Sequence, residues 1–191
     1  MKTGRLEAFS DGVLAIIITI MVLGMSAPEG YRFEDLKPII PIFLTYVLSF
    51  IYVAIYWNNH HHLLQAVNKV NGKILWANLN LLFWLSLFPF ATDWMGKNHF
   101  EDNPTAVYGI VLLMAAVAFK IMVHCVIKNE GKESNIGRVY RTDKRMNLSL
   151  LLYLTGVIVS FFFPIVSLII YLGVALMWIV PDPRIEKTLK D

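Results

Sequence analysis

Residues 148–180 form a run of 33 positions without a single Asp, Glu, Lys or Arg. One straight helix of that length would measure about 50 Å, while the hydrocarbon layer of a bilayer is about 30 Å thick. Pro164 falls in the middle, where its missing N–H and its ring break a helix. The run therefore reads as two short apolar helices joined by a tight hairpin, the first beginning around residues 144–147 so that it is long enough to cross. Four more stretches have the length and apolarity of spans. Residues 9–27 hold one acid, Asp11, in the first turn, and residues 39–57 hold no charge, with Pro38 and Pro41 where a helix start tolerates proline. Residues 74–92 are uncharged and closed by Asp93, and residues 106–127 carry Lys120 near their far end. The expected fold is an all-α membrane protein with six transmembrane helices in one domain over residues 1–191. A re-entrant hairpin would reduce the count to five.

Composition agrees. Of the 191 residues 57% are hydrophobic and 16% charged, whereas soluble domains average about 45–50% apolar and about 25% charged. The net charge is only +3, so no nucleic-acid partner is indicated. Cys125, the sole cysteine, has no internal disulfide partner and reads as a small buried hydrophobe. The first apolar run lacks a small-residue cleavage site, so the first helix is expected to be retained.

Lys and Arg placement sets the orientation. Of the 17, Lys120 lies within a span and only Arg32, Lys37 and Lys97 fall on one side. The other thirteen fall opposite: Lys2, Arg5, Lys69, Lys73, Lys128, Lys132, Arg138, Arg141, Lys144, Arg145, Arg184, Lys187 and Lys190. Both ends are thus expected in the cytoplasm. The outer loops carry Glu29, Glu34, Asp35, Asp93, Glu101 and Asp102, which either concentrate cations at an outer mouth or simply keep the loops polar. The basic segment 128–145 reads as a solvated connector or as a contact for anionic headgroups.

Ionisable residues at membrane depth are costly and attract functional readings. One cluster stands at the inner ends of the first two spans: Arg5, Ser10 and Asp11 on the first, and Trp57, Asn58, Asn59, His60, His61 and His62 on the second. Either the two sets meet, or Ser10 and Asp11 form an ordinary N-cap. Adjacent residues on a helix point about 100° apart, so three consecutive histidines cannot all face one ion and no metal site is read here. Ile16, Thr19 and Leu23 share one helical face, at i, i+3 and i+7. Such a face either packs in a core or, in a symmetric oligomer, lines an axis.

Arg5-Leu6-Glu7-Ala8-Phe9-Ser10-Asp11 has the form R-x-x-x-F-S-D. It resembles the signature of the lysosomal potassium channel family, transmembrane protein 175, and above all its single-repeat bacterial members. Tyr56-Trp57-Asn58-Asn59-His60-His61 resembles the Y-W-x-N-H-H ending of the family's second helix. Asn80-Leu81-Leu82 through Leu87-Phe88-Pro89-Phe90 resembles its third. The resemblance implies a homotetramer in the cell membrane, its first helices lining a central pore without a T-V-G-Y-G filter, and potassium as the permeant ion with no cofactor. It implies that Ile16 and Leu23 are the hydrophobic constrictions and gate, and that Thr19 is the selectivity layer. It also implies a polar network of Arg5, Phe9, Ser10, Asp11, Trp57 and His61 that sets the tilt of the first helix. The expected partners are other copies of the chain, membrane lipid and potassium ions.

A small proton-linked carrier is the alternative; it would need carboxylates at mid-span, and the spans have none there. An enzyme would need a carboxylate or Cys convergent with a His, and no catalytic residue is read from the chain.

Overall fold

The computed structural model describes residues 3–179, the side chains of Asn135, Arg141 and Thr142 excepted. Lys2, Val180, Arg184, Lys187 and Lys190, which entered the readings above, lie outside the described residues, as does the side chain of Arg141. The described chain is helical: α1 (Thr3–Leu23), a 3₁₀ segment (Phe33–Ile39), α2 (Ile40–Gln65), α3 (Gly72–Ser86), α4 (Phe88–Lys97), α5 (Asp102–Glu130), α6 (Asn135–Thr142), α7 (Arg145–Ser160) and α8 (Pro164–Ile179). Thr3–Leu23, Phe33–Gln65, Gly72–Lys97 and Asp102–Glu130 are long and apolar enough to cross a bilayer, while α7 and α8 are shorter apolar helices.

Proline sets several of these bounds. Pro164 opens α8, where its missing N–H costs nothing, and a turn through Phe161–163 reverses the chain after α7. Pro89 stands in the first turn of α4 and bends the third apolar stretch at Leu87, which caps α3 and starts α4. Asp93, expected to close that stretch, lies inside α4 and pairs with Lys97 one turn on, at 2.8 Å.

Two elements differ from the sequence reading. α1 begins at Thr3, six residues before the expected start, because Leu6 and Ser10 are buried and Glu7 finds a partner on α2. Ser10 is therefore inside the helix and is no N-cap. The segment read as a solvated connector contains α6, capped by Ser134, whose side chain accepts from the Gly137 N–H at 3.2 Å. Ile136, Val139 and Tyr140 turn its apolar face into the core.

α5 is the central helix, flanked by α3 and α7, and α1 packs along α2, α3 and α4. In a bilayer, helices associate through close packing and hydrogen bonds rather than by escape from water, so small residues at their contacts count. Gly109 on α5 and Gly156 on α7 both lie against the Tyr171 ring, where any Cβ would collide with it. Tyr171 packs at a tilt between Tyr108 and Tyr153, with ring centroids 6.0 and 6.4 Å away. Its backbone carbonyl accepts from the Tyr52 hydroxyl at 2.5 Å, which ties α2 to α8.

Candidate ion pathway

α1 has two unlike faces. Leu6, Ser10, Leu14, Ile17 and Met21, spaced by three or four residues, are buried against the bundle. On the opposite side Ile16 and Leu23 are 59% and 75% exposed, and Thr19 is exposed between them. The Thr19 hydroxyl donates to the Ala15 carbonyl at 2.9 Å. Its proton is thereby committed, and the oxygen remains an acceptor. Ala8, Gly12 and Ala15 are exposed on the same side of the helix.

A polar lattice holds the other face. Asn78, fully buried on α3, takes 2.6 Å from His60 Nε2 at its Oδ1, and its Nδ2 donates to Ser10 Oγ at 3.1 Å. Ser10 donates in turn to the Leu6 carbonyl at 2.8 Å. The amide oxygen only accepts, so His60 carries a proton on Nε2. Its Nδ1 is buried and has no hydrogen-bond partner among the described residues.

A second ladder joins α1 to α2 near the surface. The Trp57 indole N–H donates to Asp11 Oδ1 at 3.0 Å, and His61 Nδ1 meets Glu7 Oε1 at 2.7 Å. The two rings stack at 5.9 Å, and Gln65 Nε2 lies 2.8 Å from His61 Nε2. These partners are four apart on each helix, as an antiparallel pair requires. At the far end of α1, Met21 Sδ lies 3.9 Å from the Thr92 hydroxyl. Thr92 also bonds Ser49 at 2.6 Å, and Ser49 bonds Tyr108 at 3.0 Å.

Of the residues named for the network, Ser10, Asp11, Trp57 and His61 thus stand in two adjoining lattices. Phe9 is 54% exposed. Arg5 is exposed and makes no hydrogen bond or ion pair among the described residues. Glu7 and Asn78 were not singled out from the sequence, and His60 was named only within the cluster at the inner ends of the spans. Glu7 was signalled by its i, i+4 spacing from Asp11, facing Trp57 and His61 at i, i+4, and Asn78 by an amide on a mostly apolar helix that also carries Asn80. Among the outer acids, Asp35 accepts from the Arg32 backbone N–H at 2.9 Å, and so serves the start of the 3₁₀ segment. Among the described residues no three His, Cys, Asp or Glu side chains converge as metal ligands do.

Residues 5–89 match the family described as endosomal/lysosomal potassium channel TMEM175. A protein of Chryseobacterium sp. (strain P1-3), named a potassium channel, is 56% identical over 191 residues, covering the whole of both chains. The chain belongs to the TMEM175 family. A Streptomyces collinus relative, also named a potassium channel, is 33% identical over 129 residues, 63% of each chain. The crystal structure of a lysosomal potassium-selective channel TMEM175 homolog from Chamaesiphon minutus superposes with a TM-score of 0.76 at 24% identity. That match covers 93% of this chain and 96% of the other, and it shows a shared fold. TMEM175 proteins form an ion-channel family, which is not an enzyme class, and the chain is a multi-pass membrane protein of that family.

Proposed function

We propose that the chain is one subunit of a homotetrameric, potassium-permeable channel of the cell membrane, with α1 facing a central passage. Six spans are read as α1, α2, α3 with α4, α5, α7 and α8, both termini lie in the cytoplasm, and residues 1–191 form one channel domain. The observation that carries this reading is the outward face of α1. Ile16 and Leu23 stand exposed on a helix whose other face is bolted to the bundle by two polar lattices. The exposed faces of α7 and α8 carry bulky Leu151, Ile158 and Ile169, which suit lipid. α1 interleaves Ala8, Gly12, Ala15 and Thr19 with its aliphatics, a pattern that suits close approach of helices about an axis.

Four copies would stack rings of Ile16, Thr19 and Leu23. The two aliphatic rings are seven residues apart, about 10 Å along the axis. A narrow apolar ring offers nothing to replace the hydration of an ion, so it empties of water and closes the passage until it widens. The Thr19 ring between them offers hydroxyl oxygens, whose spacing tunes potassium against sodium. No cofactor takes part; potassium enters only as the permeant ion. The lattice residues set the tilt of α1 and do not touch the ion. Among the described residues Glu7, Asp93, Asp102 and Glu130 stand toward the ends of their spans, and Asp11, further into α1, is held by the Trp57 indole N–H, which counts against a proton-linked carrier.

The test is potassium efflux from liposomes holding the purified protein, with no proton gradient. The reading expects efflux that discharges a potassium gradient and generates a diffusion potential. No flux, or flux strictly dependent on a proton gradient, refutes it.

A further inference from the structure

Two adjoining cavities of about 410 and 580 Å³ open between the beginning of α3 and the end of α5. Gly72, Lys73 and Cys125 line both, so the two make one groove. Its more open part is walled by Trp76, Ala77 and Ile121. Trp76 is 75% exposed and Ile121 46%, although both belong to apolar spans. The other part holds Lys73 and Lys128, both exposed.

Neither ammonium pairs with a carboxylate among the described residues. The neighbouring acid, Glu130, is already engaged: its oxygens accept from Asn68 Nδ2 at 2.6 Å and from Asn129 Nδ2 at 2.8 Å. The backbone under the lysines is held firmly. Asn71 Oδ1 caps α3 through the Ile74 N–H at 3.0 Å, its Nδ2 reaches Asn129 Oδ1 at 2.7 Å, and Asn129 Nδ2 reaches the Lys69 carbonyl at 3.1 Å. The groove therefore joins two exposed lysines on a firmly held backbone at a membrane edge to an open apolar channel running inward from them.

We propose that this groove binds one anionic phospholipid, its phosphate between Lys73 and Lys128 and an acyl chain laid along Trp76 and Ile121. A free anion would use the lysines and leave the apolar wall bare. A zwitterionic lipid would fill the wall but gain little from two unpaired ammonium groups. Only a ligand with both parts uses both ends, and basic pockets between helices at a membrane edge take such lipids. Asn80, two turns and about 10 Å deeper than Lys73, also lines the path. The site requires neither the tetramer nor a conducting passage.

The experiment is native mass spectrometry of the full-length protein titrated with phosphatidylglycerol or with phosphatidylcholine. Phosphatidylglycerol should be retained as a discrete adduct. One lysine near an anionic headgroup contributes about five-fold in affinity, so K73Q/K128Q should weaken that retention roughly 25-fold. Phosphatidylcholine binding should be the same in both proteins. Lys37 lies near the opposite end of the bundle, and K37Q should change nothing. W76A should also weaken phosphatidylglycerol retention, and inorganic phosphate at millimolar concentration should not displace the lipid. Unchanged retention in K73Q/K128Q overturns the proposal, as does an equal loss in K37Q. Displacement by phosphate would make this a plain anion site. A change in the number of protein copies with lipid retention intact would make it a contact between subunits. Either result removes the lipid assignment while leaving the channel reading, which is tested by flux, where it was.

Discussion

At the scale of the residue, exposed aliphatics and buried amides mark the two sides of α1. Ile16→Asn places an amide where a ring of methyl groups would exclude water, so hydration of the constriction no longer vanishes. Potassium efflux from liposomes should rise several-fold, and single-channel conductance with it; unchanged flux would place Ile16 away from the passage. Thr19→Val keeps the shape and removes the oxygen. It should shift the reversal potential under potassium–sodium bi-ionic conditions toward equal permeability, while a merely structural Thr19 would leave it fixed. Asn78 belongs to the other side. Asn78→Leu removes the partner of His60 Nε2 and of Ser10 Oγ at once. Hydrogen bonds between helices in membranes contribute about 0.6–2 kcal/mol each, so the detergent-solubilised protein should lose about 1–4 kcal/mol, read as a lower melting temperature. That Ile16 and Thr19 share one face of α1 was legible from helical spacing, and the structure leaves that face exposed. The contacts of Asn78 were not, because an amide in a mostly apolar helix is visible in a sequence while its partner Ser10, 68 residues away, is not.

At the scale of the element, apolar length was readable and helix ends were not. The charge-free run broken at Pro164 does fold as two helices, α7 and α8, since the rule involved is local: proline cannot donate and cannot fit within a helix. The start of α1 escaped because it is set by a distant partner. Hydropathy stops at Glu7, yet Glu7 meets His61 and the helix runs on to Thr3. α6 escaped for the same reason: eight residues of mixed polarity become a helix only because Ile136, Val139 and Tyr140 have a core to face. The α7–α8 hairpin, short as its helices are, depends on close approach. Gly156→Ala would drive a methyl group into the Tyr171 ring, and overpacking of this kind costs about 1–3 kcal/mol. Gly173→Ala, with nothing within 4 Å of the added carbon, is the matched control. A melting temperature lowered in Gly156→Ala and unchanged in Gly173→Ala would assign the loss to Tyr171. An equal fall in both would show that helical glycine, and not the ring contact, sets the effect.

At the scale of the whole molecule, the channel reading turns on which apolar surface meets water. The chain exposes aliphatic side chains on α1, α7 and α8 alike, and the reading assigns water to α1 and lipid to α7 and α8. Chemistry separates them, because a thiolate forms in water and not in hydrocarbon. In a background with Cys125 replaced by Ala, Ile16→Cys should react with a charged, membrane-impermeant methanethiosulfonate, and the bulky adduct should block potassium flux. Ile165→Cys, on a residue of similar exposure on α8, should stay unmodified and conduct normally. Four subunits about one axis add a quantitative expectation. If one modified copy in four suffices to occlude the passage, the flux that remains in mixtures of wild-type and Ile16→Cys subunits should follow the fourth power of the wild-type fraction. A linear loss would mean that each copy conducts alone, and reaction at Ile165→Cys with none at Ile16→Cys would turn α1 toward lipid.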